Sequence, residues 1–529
     1  MDMSESGECE RLQPRLHFHP LRSELKSRRG LVLPLVFTAA AAVVRFYALG
    51  RQSLWFDEIA TWHTGAYSSL RDVVFADRSW NLYPPGYGVF THYVMAVGGI
   101  SEWMLRFPSA VAGTLSVPLL YLVALRAGNR RVAAISAGLL AFLLFPIYYS
   151  QEARPYALLQ CLVLICVLAW TYVIEAWDAR RPAPVWGLAV YAIAAIGCCY
   201  LHYFGLLFVF LQGLLTFALL LRKPLHLARA TALFGCIALA FLPWLPSMWG
   251  HLRNQANGPQ MPPVDVNVFV AFRDYLNSAF SHGQTGTWAS WLVVWLVMLL
   301  LAFSFCGTVW AAYRGGRWSA ALTGVGLLVA WLVIPFLLAY AKSVTSASIF
   351  THRNLIISMP AVYLAVAFAV ARIPVPKALS WCFAGMVVGV CALRLVTSGY
   401  YAYPHKDQFR EAIGYVVDRE GLYPDAELVV LSNLPFTYDY YLKRFGSDMR
   451  PALVAGRDGT DALDGLVANR NPKYVWYLSA DPFPDDAFVN HLNEYFDVLE
   501  MQRFLRVNAY LLAPRTALIA RTQAEPDAR

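Results

Sequence analysis

Near the start of the chain, SLWFDEIATW (53–62) sets Asp57 and Glu58 side by side among aromatic residues. A carboxylate held in such company could act as a general base toward a hydroxyl. Adjacent acids after an apolar run are equally well read as solvated loop residues, and the stretch alone leaves both readings open. A second cluster is YSQEARPYALL (149–159). Glu152 and Arg154 could pair or cap helix ends; alternatively Arg154 meets a phosphate, since a guanidinium forks onto phosphate oxygens, and Glu152 orients it. Pro155 suits the first turn of a following helix. His202, in CCYLHYFGLLF, lies where one apolar run gives way to the next. A lone His in such surroundings is more often a hydrogen-bonded structural residue than a ligand. In AKSVTSASIFTHRNL, Lys342, His352 and Arg353 precede another run, and Arg353 could snorkel or hold an anionic head group. Arg106, in EWMLRFPSAVAG, carries the same two readings. His251, Asp265, Asp274 and His282 occupy the loop 250–288, whose NQANGPQMPP has the composition of a lid; their spacing fits no metal motif.

The elements that must position these residues are membrane helices. The 529 residues are 58% hydrophobic, 15% aromatic and 15% charged, and the mean hydropathy is +0.45. Soluble domains carry about 25% charged residues. A bilayer core takes about 20 apolar residues per helix. Runs of that kind lie near 30–49, 106–126, 132–149, 155–177, 185–201, 203–221, 229–249, 289–313, 319–341, 354–371 and 380–398, which predicts about eleven spans. Residues 86–98 are short for a span and read as an interfacial or re-entrant helix.

Charge supplies the topology. Arg22, Lys26, Arg28 and Arg29 precede the first run, and every second loop is short and basic: Arg126, Arg130 and Arg131; Arg180 and Arg181; Arg222, Lys223 and Arg229; Arg314 and Arg317; Arg372 and Lys377. The positive-inside rule puts that side in the cytoplasm. The N-terminus is then inside, and loops 50–105, 150–154, 250–288 and 342–353 face out. A long polar stretch precedes the first run and no small-residue cleavage site follows it, so the run reads as a retained anchor. The net charge of +9 is spread over loops, with no basic stripe for a nucleic acid. Of nine cysteines, Cys9 is in the tail and the others lie in apolar runs, which predicts neither a disulfide framework nor a zinc module.

Four regions follow: a cytoplasmic tail 1–29, a membrane domain 30–399 with the outer loop 50–105, an extracytoplasmic α/β domain 400–515, and a polar tail 516–529. Within the α/β domain, KDQFREAIGYVVDREG, PFTYDYYLKRFG and DDAFVNHLNEYF read as helices. ELVVLS, KYVWYLS, DVLEMQRF and VNAYLLAP read as strands. No Gly-rich phosphate fingerprint, nucleophile elbow or nucleotide-sugar pocket is apparent.

The ordered series LWFDEIATW, YPPGYGVFTHYV, SEWMLRFPSAVAGTLSVPLLYLVA, IYYSQEARPYALL and LHYFGLLF resembles the GT-C glycosyltransferases. The branch it resembles is the bacterial family 39/83-like one, related to dolichyl-phosphate-mannose protein mannosyltransferases and the lipid A aminoarabinose transferase. The likeness is dense over about residues 45–210. THRNLIISMPAVYLAVA and YPHKDQFREAIGYV extend it more weakly. It implies a polytopic α-helical GT-C fold with an extracytoplasmic active site, and a sugar donor carried on a polyprenyl phosphate. It further implies Asp57 as catalytic base, Glu58 as its neighbour in the site, and Glu152 and Arg154 as second-loop contributors. Arg353 is a further phosphate candidate by loop position, and His202 one for donor or acceptor. Relatives often place a charged or imidazole residue before the Pro84–Pro85 pair. This chain has Tyr83, so a metal site built there in relatives loses that ligand, and dependence on a divalent metal is left open. No other cofactor is called for.

The chemistry is consistent with one carboxylate and one cation. Polyprenyl phosphate leaves without a general acid; a base for the attacking hydroxyl and a cation for the departing phosphate suffice. Most glycosidases need two carboxylates. Direct attack inverts the anomeric centre. The expected partners are the lipid-linked donor, the bilayer and an acceptor hydroxyl on a protein, lipid A or envelope glycan, in the bacterial inner membrane. A transporter or flippase of a lipid-linked sugar is the alternative, but transporters gather polar interruptions near the bilayer midplane. A catalytically dead scaffold fits less well with an intact Asp57–Glu58 pair.

Overall fold

The computed structural model describes residues 18–21, 28–76, 83–254, 264–281, 288–315, 318–373, 375–431, 435–455, 460–480 and 486–515. Arg22, Lys26, Cys9, Arg317, His282, most of the NQANGPQMPP stretch and the tail 516–529 lie outside them. The chain forms two compact units. One comprises Met1–Tyr47, Ser68–Tyr93 and Arg106–Ser398; the other comprises Ala48–Tyr67, Val94–Leu105 and Gly399–Arg529. The outer loop 50–105 is thus divided between them.

Helices account for the apolar runs. Among the described residues six are long and apolar enough to cross a membrane: Glu102–Ala127, Tyr156–Asp178, Tyr203–Leu220, Pro224–Arg253, Asn354–Ala371 and Ala378–Thr397. Shorter apolar helices cover Gly30–Phe46, Val185–Leu201, Val294–Gly307 and Ala330–Thr345. Each falls on a run that the sequence predicts as a span, and Gly86–Gly98 forms a helix of its own. A helix of this kind satisfies its backbone groups within itself, without water.

The run 132–149 departs from a straight span. Helix Arg130–Phe142 and helix Leu144–Ser150 meet at a bend of 57°. Leu143 between them is extended, with ψ of 140°. Pro146 accounts for the break, because its ring collides with the carbonyl four residues back, that of Phe142, and it offers no N–H. Breaking a helix in an apolar interior strands carbonyls, and Arg45 takes them up. Its fully buried guanidinium donates to the carbonyls of Leu140 (2.7 Å) and Ala141 (3.1 Å) and to Ser150 Oγ (3.1 Å). In return, Gln151 Nε2 donates to the carbonyls of Arg45 (3.0 Å) and Tyr47 (2.8 Å), at the end of helix Arg28–Phe46. Gly113 makes room, since a Cβ there would stand 2.0 Å from Ser150 Oγ and 2.7 Å from Ser150 Cβ.

The second unit holds a five-stranded sheet in the order β2-β1-β3-β5-β4, from β1 (Ala426–Leu431), β2 (Pro451–Ala455), β3 (Tyr474–Ala480), β4 (Phe496–Phe504) and β5 (Val507–Pro514). β2, β1 and β3 are parallel, so helices must return the chain between them. Asp439–Phe445 and Thr460–Arg470 do so. β5 is antiparallel to both β3 and β4. Val429, Leu463, Val475, Tyr477, Phe488, Leu492 and Leu512 form the buried core. The predicted strands and helices of this region are present; β2 and Thr460–Arg470 are additional to them. Segments 48–67 and 94–105 are fastened to the same unit. Gln52 Oε1 accepts the backbone N–H groups of His405 (3.0 Å) and Lys406 (3.2 Å), and the Tyr441 hydroxyl accepts the Leu54 N–H. Glu102 pairs with Arg444 (3.1 Å) and Arg410 (3.6 Å).

Replacing Arg45 by Met strands the buried carbonyls of Leu140 and Ala141, at about 1–3 kcal/mol for each group left unmade, while Ser150 Oγ keeps its bond to the Pro146 carbonyl. Thermal unfolding of the detergent-solubilised protein should show a clearly lowered midpoint for Arg45→Met, and a smaller loss for Arg45→Lys, which keeps the charge without the fork. Gly113→Ala should be destabilised through the same contact, and unchanged midpoints would count against the lock.

Candidate functional site

The helical unit holds five of the sequence-predicted residues, Tyr83, Glu152, Arg154, His202 and Arg353, together with Tyr156. The turn after helix Leu144–Ser150 carries Glu152 and Arg154, and Pro155 leads into helix Tyr156–Asp178. The Arg154 N–H donates to the Glu152 carbonyl (2.8 Å), and the Arg154 carbonyl accepts from Ser109 Oγ (3.2 Å). Gln151, held against helix Arg28–Phe46, fixes where this turn begins. Glu152 is fully buried and Arg154 nearly so. The Arg154 guanidinium carbon lies 5.1 Å from the centre of the Tyr83 ring and 5.9 Å from that of Tyr156. Arg353 reaches the Tyr156 ring at 5.9 Å, from the start of the 3-10 turn Asn354–Ser358.

His202 completes the cluster. Its ring centre is 5.1 Å from that of Tyr83 and 5.9 Å from that of Tyr156. It forms the extended joint between helices Val185–Leu201 and Tyr203–Leu220, outside both. Gly205 allows the second helix to start close to the first, since a Cβ there would stand 2.2 Å from the Cys198 carbonyl oxygen. Nδ1 of His202 accepts the Phe204 N–H (3.1 Å), which leaves the proton of the neutral ring on Nε2. Burial, then the Arg154 and Arg353 charges beside it, push this imidazole down to about 3. His202 is therefore a neutral donor, and its buried Nε2 has no hydrogen-bond partner among the described residues. Two guanidiniums and this N–H gather beside the Tyr83 and Tyr156 rings, and these are the donor types that suit an oxyanion.

Other candidates lie elsewhere. Arg106 is buried in the same unit. Lys342 bonds Ser346 Oγ (2.5 Å) one turn on, and Asp274 pairs with its neighbour Arg273 (2.9 Å). His251 Nδ1 meets the Tyr203 hydroxyl (2.8 Å), and Asp265 Oδ1 accepts the Asn267 N–H (2.7 Å). The His352 ring lies 6.3 Å from that of Phe350.

Asp57 and Glu58 belong to the second unit. They open helix Phe56–Gly65, in its first turn, with Trp55 as the N-cap residue. Glu58 is fully buried; its Oε2 accepts the Trp55 N–H (3.3 Å) and its Oε1 meets Lys406 Nζ at 3.0 Å. Asp57 is partly buried and adjoins Asp407, which accepts the Phe56 N–H. Burial holds the Asp407 carboxyl above its ordinary range, and the Asp57 charge adds to that against Arg506. Sequence reasoning did not single out Tyr156, Lys406 or Asp407. Tyr156 reads as an ordinary helix aromatic, although the stretch YPHKDQFREAIGYV, which holds the other two, is part of the resemblance. Among the described residues no three His, Cys, Asp or Glu side chains gather as a metal-binding group.

Residues 83–249 match the family model for dolichyl-phosphate-mannose-protein mannosyltransferase. The chain is similar in structure to ArnT from Cupriavidus metallidurans in the apo state, with a TM-score of 0.54 and 14% identity, over 91% of this chain and 98% of that one. ArnT bound to undecaprenyl phosphate gives a TM-score of 0.51 and 16% identity, over 92% and 98%. The oligosaccharyltransferase of Archaeoglobus fulgidus, in complex with Zn and sulfate, gives 0.50 and 14%, over 84% and 67%. No curated protein matches the chain significantly. At these identities the structures speak for fold, and the family match speaks for the segment that carries Tyr83, Glu152, Arg154 and His202. Together they give this multi-pass membrane protein a fold similar to that of ArnT, with a segment that matches the mannosyltransferase family model.

Proposed function

We propose that the protein is an inverting glycosyltransferase that moves a sugar from a polyprenyl phosphate to an acceptor hydroxyl on a protein, lipid A or envelope glycan. The observation that carries this reading is the set of buried Arg154, half-buried Arg353 and the buried Nε2–H of His202. Two cations and a neutral donor suit the phosphate of a lipid carrier, and ArnT, a structural neighbour, has been captured with undecaprenyl phosphate. The basic inner loops orient the chain with its N-terminus in the cytoplasm of a bacterial inner membrane and its C-terminal domain outside.

In the reaction Asp57 accepts the proton of the acceptor hydroxyl as the acceptor oxygen bonds the anomeric carbon. The bond from that carbon to the phosphate oxygen breaks on the opposite face, and its electron pair leaves with the polyprenyl phosphate. Arg154, Arg353 and His202 stabilise the charge that develops there. Tyr83 and Tyr156 keep the guanidiniums in place from their ring faces. Glu152 positions the turn that presents Arg154. The described residues assemble no donor set for a resident divalent ion, and no step is assigned to one.

Purified protein incubated with a panel of polyprenyl-phosphate sugars and envelope acceptors should transfer sugar with inversion. Asp57→Asn should lower turnover about 10²- to 10⁴-fold, the usual contribution of a positioned base. Equal turnover in the variant would remove Asp57 from this role, and passage of intact donor across the membrane without transfer would favour a flippase. His202→Asn keeps an acceptor for the Phe204 N–H but withdraws the Nε2 donor. Titration with undecaprenyl phosphate should show affinity weakened about 10- to 100-fold, as for one hydrogen bond to a charged group.

A further inference from the structure

The C-terminal unit grips the helix that carries Asp57 along its whole length. At the far end, the His63 ring stacks on Phe436 with centroids 3.9 Å apart, Trp62 meets Tyr440 edge-on, and Lys443 lies 5.6 Å over the Trp62 ring. At the near end, the segment leading into the helix is knitted to 405–410: Gln52 caps the His405 and Lys406 N–H groups, and Ser53 Oγ accepts the Arg410 N–H (3.2 Å). Arg410 in turn donates to the Arg51 carbonyl (2.5 Å). At the first turn itself two residues of the same KD dipeptide act. Lys406 closes on Glu58, and Asp407 accepts the Phe56 N–H beside Asp57.

The Lys406–Glu58 pair is almost entirely removed from water. Such a pair returns little net stability, since desolvating two charges offsets their attraction. Its value is geometric. Glu58 Oε2 caps the Trp55 N–H while Oε1 holds Lys406, so the carboxylate plane, and with it the rotation of the first helical turn, has one setting. Asp57 precedes Glu58 directly, and turning that first turn swings its carboxylate. We propose that Lys406, with Asp407, is a positioning residue for the base Asp57, and that this is the task of the C-terminal domain in the reaction. The proposal rests on the assignment of Asp57 as base, and Glu58 then acts through Asp57 and not on the substrate.

The test uses the full chain in lipid nanodiscs, as Lys406→Met and as the double variant Glu58→Gln with Lys406→Met, which removes the stranded charge and keeps the cap on Trp55. Hydrogen exchange is read over 54–62, with β1 and β3 as internal controls. Turnover and KM are read with whichever polyprenyl-phosphate sugar and acceptor the wild type uses, and affinity with undecaprenyl phosphate. Lys406→Met should exchange faster over 54–62 alone and lose about 10- to 100-fold in kcat, the scale of an ångström-sized misplacement, with KM for the donor and undecaprenyl phosphate affinity unchanged. The double variant should recover much of both losses. Unaltered exchange over 54–62 would overturn the proposal, as would altered exchange with wild-type turnover, or loss of donor affinity in parallel with kcat. A wild type that transfers no sugar would instead strike at the assignment of Asp57, while the exchange arm would still decide whether Lys406 sets the helix.

Discussion

Arg45 sits fully buried in an apolar bundle, where an isolated charge costs several kcal/mol or more. That cost constrains everything around it, because the guanidinium is tolerable only where acceptors converge. An unbroken transmembrane helix offers only second lone pairs, each carbonyl already accepting one of its own N–H groups. Pro146 changes this by ending helix Arg130–Phe142 early and freeing the carbonyls that Arg45 takes. Break and charge therefore justify each other: either alone would leave polar groups stranded in an apolar medium. Once both are present, the direction of helix Leu144–Ser150 is fixed, and so is the turn that delivers Arg154.

Other buried charges in the chain obey the same rule with different solutions. Arg126 pairs with Glu175 at 2.8 Å and lies 4.1 Å over the Tyr172 ring, which ties helix Glu102–Ala127 to helix Tyr156–Asp178 at their shared end. In the second unit Lys406 answers Glu58. These differ from Arg470–Glu427 and Lys473–Asp425, which are largely exposed and belong to the class of pairs worth about 0–1 kcal/mol. The buried pairs specify orientation, and the exposed ones mainly keep the surface soluble.

The spans were legible in the sequence because a long apolar run has so few stable alternatives in a bilayer. The 57° bend was not, although its cause is visible as Pro146. Pro34, Pro108, Pro118 and Pro335 also fall in apolar runs and sit inside continuous helices, so a proline alone does not announce a break. What distinguishes Pro146 is Arg45, about a hundred residues earlier, and that link is made only by folding. β2 escaped notice because it is a short edge strand beginning with proline, and TDALDGLVANR shows no strong apolar stripe. At the site, Arg154, His202 and Arg353 stood out as polar residues at the ends of apolar runs, and Tyr83 as a departure from the pattern of relatives before Pro84–Pro85. Tyr156 and Lys406 did not, since an aromatic in a helix and a lysine in a polar stretch acquire meaning only from partners distant in sequence.

The two clusters also differ in the sign of their surroundings. Cations that hold a phosphate strip protons from neighbouring groups: beside Arg154 and Arg353, and deprived of water, His202 is held neutral down to about 3. Asp57 stands on a different structural unit, where Lys406 is committed to Glu58 at 3.0 Å and Arg506 approaches Asp407 at 3.5 Å. Each of those cations already has a carboxylate to neutralise. What adjoins Asp57 is another acid, Asp407, whose own carboxyl is pushed up by burial and by the nearness of Asp57. The acids Asp57 and Asp407 lie together in the second unit, and Arg154 and Arg353 lie with His202 and the Tyr83 and Tyr156 rings in the first.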